Sequence, residues 1–87
     1  MIPYRHLLYT LAVAEHGSVQ AASDRISISQ PALSAAIQKV EQKYGLKIFL
    51  RDRPNKLVLT PDGKRFIARA KVLVEGAEEF EDNIRNL

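Results

Sequence analysis

The sequence contains no cysteine. Disulfides and thiolate metal sites are both excluded, so stability has to come from packing or from a partner chain. Cytosolic residence fits. No apolar stretch is long enough to span a membrane. The two histidines, His6 and His16, stand ten residues apart on or beside the first apolar run with no clustered carboxylates to work with them, and no glycine-rich phosphate loop is present. An enzyme is therefore disfavoured: no catalytic and no metal site is assigned, and both histidines are expected at the surface.

The start of the chain imitates a secretory leader, but a first helix is the expected reading. Arg5 and His6 precede the apolar run Leu7 to Ala14, which closes on the small-residue pattern Ala12-Val13-Ala14. Tyr9 and Thr10 interrupt the run, and a 14-residue leader falls below the usual length of roughly 15 to 30. The run reads as a first helix.

Eighty-seven residues form one small domain with an appended helix. A chain this short buries only about 60 to 65 per cent of its unfolded surface, which argues against a deep catalytic cavity. The net charge of +3 is unevenly placed: residues 1–60 hold eight Lys/Arg against four Asp/Glu, and residues 61–87 hold five against six. Residues 39–56 concentrate Lys39, Lys43, Lys47, Arg51, Arg53 and Lys56 against Glu41 and Asp52. The basic half is the candidate polyanion face, although lysine-rich solvated faces are common.

Tyr4, Leu7, Leu11 and Ala14 recur at three- and four-residue steps, so an amphipathic helix is expected from Pro3 to His16, stopped by Gly17. Ser18 offers an N-cap for a short second helix with Val19, Ala22 and Ile26 inward. After a very tight connection, Ser29 caps a third helix; Pro31 fits its first turn, where the backbone N–H lacks an intrahelical acceptor anyway. Leu33, Ile37, Val40 and Tyr44 form its inner stripe and Gly45 its stop. At about 100 degrees per residue the opposite face is Pro31, Ala35, Gln38 and Gln42, flanked by Ser34 and Lys39. That face is short and almost uncharged. A solvated helix face would carry Glu and Lys there, so something other than water is expected to meet it.

The segment LKIFLRDRPNKLVLT reads as a hairpin with strands near Ile48 to Arg51 and Leu57 to Thr60 and a basic tip around Pro54 and Asn55. TPDG then restarts a helix: Thr60 caps, Pro61 fits the first helical position, and Asp62 complements the positive helix end. Along it Phe66, Ala70, Leu73, Ala77, Phe80, Ile84 and Leu87 follow an a/d heptad seam. A helix from a second copy is the economical cover. Its basic residues, Lys64, Arg65, Arg69 and Lys71, come early and its acidic residues, Glu75, Glu78, Glu79, Glu81 and Asp82, late. An antiparallel pair sets each basic start beside the other's acidic end.

The order of elements is mainly α: a winged helix-turn-helix of three helices and a two-stranded wing over residues 1–60, with the helix-turn-helix at about 19–38 and the wing at about 48–60, then a long dimerisation helix over 61–87. The motifs VAEHGS (13–18), AAS (21–23), SQPALS (29–34), IQKVEQKYG (37–45), IFLR (48–51) and LTPDG (59–63) resemble the N-terminal DNA-binding domain of LysR-type bacterial transcriptional regulators. The match covers residues 4–63 in register. The resemblance implies a cytoplasmic protein that binds double-stranded operator DNA as a dimer or tetramer, with no cofactor in this domain. It also implies a larger effector-sensing domain, with a small-molecule effector, which these 87 residues do not contain.

Three positions depart from the family pattern. Thr10 stands where Phe is frequent, so the core of the first helix is expected to be filled by Leu11. Ala35 replaces a frequent Arg, removing a DNA contact and leaving a methyl that can meet a thymine methyl or permit close approach. The wing is one residue longer than the common form, which leaves open whether Arg53 is the groove-reaching arginine.

With the third helix in the major groove, Gln30 can bond adenine N6/N7, Pro31 and Ala32 can pack on thymine methyls, and Ser34 can reach a base or phosphate, with Gln38 and Lys39 nearer the backbone. Ser29 reads more as a cap than as a contact. Ser18 and Gln20 begin the second helix, where free N–H groups favour a phosphate, although Ser18 is equally a plain cap. Arg53 and Lys56 are candidates for the minor groove or its phosphates, or for a solvated hairpin tip. Arg51 is expected to pair with an acidic neighbour. A protein-interaction module of the same shape is the rival to a DNA reader.

Overall fold

Three of the four helices begin on a hydroxyl. The computed structural model describes every residue from Met1 to Leu87, in the order α1 (Tyr4–His16), α2 (Val19–Ile26), α3 (Gln30–Tyr44), β1 (Phe49–Arg53), β2 (Lys56–Leu59) and α4 (Pro61–Arg85). The hydroxyls of Ser18, Ser29 and Thr60 accept from the amides of Ala21 at 3.0 Å, Ala32 at 3.2 Å and Gly63 at 2.8 Å. Each satisfies one of the amides that a helix start leaves unpaired. Gly17 and Gly45 close α1 and α3 in the left-handed region, at φ +77° and +63°. Ser27 closes α2 at φ +57°, and Ser23 donates to the carbonyl of Ile28 at 2.6 Å, which fixes the tight turn between α2 and α3.

The core lies where α1 packs against α2, α3 and α4. Leu33 and Val40 of α3, Val13 of α1, Ala22 of α2 and Ile48 are fully buried. Helix α1 corrects the expected stripe. Its buried residues are His6, Leu7, Thr10, Ala12 and Val13; Tyr4 is exposed and Leu11 and Ala14 lie at the rim. Three helices surround α1, so the contact arc is wide and is centred on small and polar residues rather than on the largest hydrophobes. Thr10, not Leu11, fills the position, its hydroxyl donating to the carbonyl of His6 at 2.8 Å. His6 is thus buried, against expectation. Tyr44, placed in the inner stripe of α3, is also exposed, with its ring 6.0 Å from that of Phe66.

The hairpin pairs Phe49 with Leu59, Leu50 with Val58, Arg51 with Leu57 and Arg53 with Lys56. Asp52 lies between the last two pairs as a bulge, which accommodates the extra wing residue and leaves Pro54-Asn55 as a two-residue tip. At the other end Thr60 donates to the carbonyl of Lys47, and the first turn of α4 lies against the entry to β1. A Cβ on Gly63 would overlap the carbonyl of Ile48.

Helix α4 has two apolar stripes. Gly63, Ile67, Ala70 and Val74 are buried against the rest of the chain. Phe66 is half-buried on the same core, so the expected dimer seam is corrected at its start: Phe66 and Ala70 are already used internally. The reason is that Ile67 and Val74, one residue along from Phe66 and Leu73, share the same three- and four-residue spacing. The second stripe is uncovered. Val72 is 70 % exposed, Leu73 47 %, Phe80 63 % and Ile84 49 %, and beyond Val74 no residue of the chain is buried.

Candidate nucleic-acid interface

The period of α3 separates a packed side from an open one. Leu33, Ala36, Ile37 and Val40 are buried, and Gln30, Pro31, Ala32, Ser34, Ala35, Gln38 and Lys39 are all exposed. Ser29 uses its oxygen to cap Ala32, which leaves its hydroxyl hydrogen free to donate.

A polar cleft of about 200 Å³ brings the start of α2, the start of α3 and the wing together. Ser18, Gln20, Gln30, Ser34 and Lys56 line it, joined by Arg51, Pro54 and Asn55. Ala35, Gln38 and Lys39 are outside it, farther along α3. Arg53 is also outside, on the far side of the tip with Pro54, Asn55 and Lys56. On a regular strand Arg51 and Arg53 would point to the same side; the bulge at Asp52 separates them. Arg51 is the residue that sequence reasoning missed. It forms no ion pair with an acidic neighbour, donating instead to the carbonyl of Pro54 at 2.8 Å and so bracing the tip.

The wing is fixed at its base as well. The Leu57 amide donates to the carbonyl of Gly17 at 2.8 Å, and the Glu41 carboxylate accepts from the Ile48 amide at 2.7 Å. The cationic groups stay outward: the side chain of Lys47 is 68 % exposed beside Glu41 at 3.9 Å, and Arg53 stands 3.5 Å from Asp52. Behind the reading face, burial pushes the pKa of His6 below the ordinary value, and the nearby charges of Arg5 and Lys39 push it the same way. Its Nδ1 has no hydrogen-bond partner.

No group of His, Cys, Asp and Glu side chains converges in a way that could hold a metal ion, and no helix is long and apolar enough to cross a membrane. A tight helical pair with an open polar second helix, followed by a basic two-stranded wing, defines a winged helix-turn-helix domain. The family described as bacterial regulatory helix-turn-helix proteins of the lysR family matches residues 4–64, and the chain belongs to that family of transcriptional regulators. It is 38% identical over 82 residues to the HTH-type transcriptional regulator YkuM of Bacillus subtilis, an alignment covering 94% of this chain and 27% of that protein. It is 39% identical over 75 residues to the regulator ClcR of Pseudomonas putida, an alignment covering 86% of this chain and 25% of that protein. The chain spans about a quarter of the length of the curated relatives it matches. The DNA-binding domain of CbnR, solved as a complex with DNA, superposes with a TM-score of 0.90 at 32% identity, covering 98% of this chain and 97% of that one. The BenM domain in complex with catB site 1 DNA gives 0.92 at 30% identity, covering 98% and 93%.

Proposed function

We propose that this domain binds double-stranded operator DNA in a sequence-specific manner as the reading head of a LysR-type regulator. The observation that carries the reading is the cleft: two helix starts and a basic wing converge on one side, next to a nearly uncharged helix face. Helix α3 lies in the major groove. Gln30 offers a bidentate pair to adenine, and Pro31, Ala32 and Ala35 give apolar surface to thymine methyls. Ser18 and Gln20 meet a phosphate at the start of α2, Ser34, Gln38 and Lys39 reach the strand nearby, and Arg53 and Lys56 reach the minor groove or its phosphates.

Two copies pair through the uncovered stripe of α4, from Leu73 through Ala77, Phe80 and Ile84 to Leu87. Gly76 lies on this stripe with nothing within 4 Å of an added Cβ, so its bareness has no purpose inside the chain. An antiparallel two-fold crossing at Gly76 sets Val72 opposite Phe80. At about 1.5 Å per residue, a crossing at Gly76 sets the two Pro61 ends of the 25-residue helices about 45 Å apart, on the scale of one DNA turn, roughly 34 to 36 Å. The target is an interrupted palindrome with A/T-containing half-sites. In the whole regulator, an effector-sensing domain with a small-molecule effector acts on this head in the cytoplasm, as a dimer or tetramer. Catalysis forms no part of this role.

A mobility shift of the 87-residue chain on A/T-rich interrupted palindromes, titrated in salt, tests the reading. Affinity should fall steeply with salt, as counterion release requires, and scrambled half-sites should bind more weakly. Equal binding to scrambled DNA would overturn the sequence-specific reading, and no binding at any salt would give the face to a protein partner.

A further inference from the structure

Glu41 is the single acidic residue on the helix that carries the reading face. A carboxylate there is repelled by the phosphates of a duplex, so its presence asks for a reason inside the fold. The side chain is only 15 % exposed. One carboxylate oxygen accepts from the amide of Ile48 at 2.7 Å and from that of Phe49 at 3.4 Å, and the other lies 3.9 Å from Lys47 Nζ.

Those amides need a partner. Ile48 is fully buried and stands just before β1, where its N–H falls outside the hairpin's pairing, which begins with Phe49 and Leu59. Its carbonyl is already taken by the amide of Thr60 at 3.0 Å. A buried N–H left unpaired is unfavourable, and the charged acceptor on α3 satisfies it more strongly than a neutral one would. The wing is then tied at both strands: β1 to α3 through Glu41, and β2 to the residue before Ser18 through Leu57 and Gly17.

We propose that Glu41 is a positioning residue that fixes the wing on the reading helix, so that Arg53 and Lys56 meet the duplex in register with Gln30 and Ser34. This rests on the DNA-reading role proposed above. It makes an unusual demand on sign. Removing an acidic group beside a polyanion strengthens binding on electrostatics alone, whereas loosening the wing weakens it.

The experiment uses the full chain with five changes: Glu41→Ala, Glu41→Asp, Glu41→Gln, the pair Arg53→Ala/Lys56→Ala, and that pair combined with Glu41→Ala. Affinity for one A/T-rich palindrome is measured against salt, and amide exchange at Ile48 and Phe49 is measured without DNA. Glu41→Ala should weaken binding about tenfold and make the slope of log K against log salt shallower by about two, the share of two lost phosphate contacts. In the wing-stripped background the same change should alter affinity less than about twofold, because the two sites then share one effect. Glu41→Asp keeps the charge but loses the reach and should behave like Ala, which keeps the test available if Ala does not fold. Glu41→Gln keeps an acceptor oxygen and should restore both affinity and amide protection. Tighter binding by Glu41→Ala, or an equal loss in both backgrounds, overturns the proposal. If the unmodified chain binds no DNA, the proposed function fails, and amide protection unchanged in Glu41→Ala or Glu41→Asp separately overturns the tie to the wing.

Discussion

The amide of Leu57 and the carbonyl of Gly17 meet at 2.8 Å, which links the second strand of the wing to the residue just ahead of the Ser18 cap. The start of α2 and the wing therefore move together. Lys56, next to Leu57 and on the cleft wall, is held by this link near the phosphate expected at Ser18. Lys56→Ala should reduce the salt slope by about one and weaken binding evenly across DNA sequences. A filter-binding series over several palindromes and salt concentrations checks both; a sequence-dependent loss would place Lys56 on bases.

Gln30 is exposed at the start of α3 and lines the cleft, so its substitution leaves the core untouched. Gln30→Ala should cost about 1 to 3 kcal/mol of discrimination at a single base position in each half-site, the worth of one bidentate contact. Competition binding with single-base variants of the operator measures it. Unchanged affinity and unchanged preference would remove Gln30 as a reader.

Gly63 is where α4 lies against the backbone of Ile48, and no side chain can yield there because the opposing atoms are main-chain. Gly63→Ala should lower stability by about 2 kcal/mol or more through overpacking, and thermal unfolding should fall by roughly 8 °C or more at about 4 to 8 °C per kcal/mol. An unchanged melting temperature would mean that the helix start can slide off the strand without cost.

His6 ties stability to acid. Its folded-state pKa lies below the unfolded value of 6.5 because burial disfavours the imidazolium and Arg5 and Lys39 repel it. The unfolded chain therefore binds more protons below that value, so the contribution is complete above pH 6.5 and is lost as pH falls toward the lowered folded pKa. Urea unfolding of the protein and of His6→Leu across that range should show a steeper acid loss in the former. Parallel curves would mean that His6 titrates as freely folded as unfolded.

Much of this was legible in the residues. Ser18, Ser29 and Thr60, each ahead of a helix-forming run, locate three helix starts because the cap is a local device whose partner is three residues on. The open face of α3 was legible for the same reason, since a helix's own period fixes what is opposite Leu33 and Val40. What escaped depended on neighbours distant in sequence. Burial of His6 and Thr10 follows from three helices closing around α1, and the choice between the Phe66 and Ile67 stripes follows from which one α1 reaches first. The role of Arg51 depended on a bulge at Asp52 that the alternation of β1 does not reveal.

The remaining face of α4 yields the sharpest test of assembly, because two substitutions on it should weaken a pair without weakening one chain. Leu73→Glu places a charge on a stripe that the chain itself leaves 47 % exposed, so the monomer fold should be unaffected while dimers disappear in sedimentation. Gly76→Ala fills empty space and should stabilise the helix of a single chain by about 1 kcal/mol, the propensity difference between the two residues. In a pair crossing at that point, however, each added methyl meets its counterpart. Dimerisation should therefore weaken although the helix is stronger, and an equilibrium-sedimentation dissociation constant that tightens with Gly76→Ala would move the crossing elsewhere on the helix.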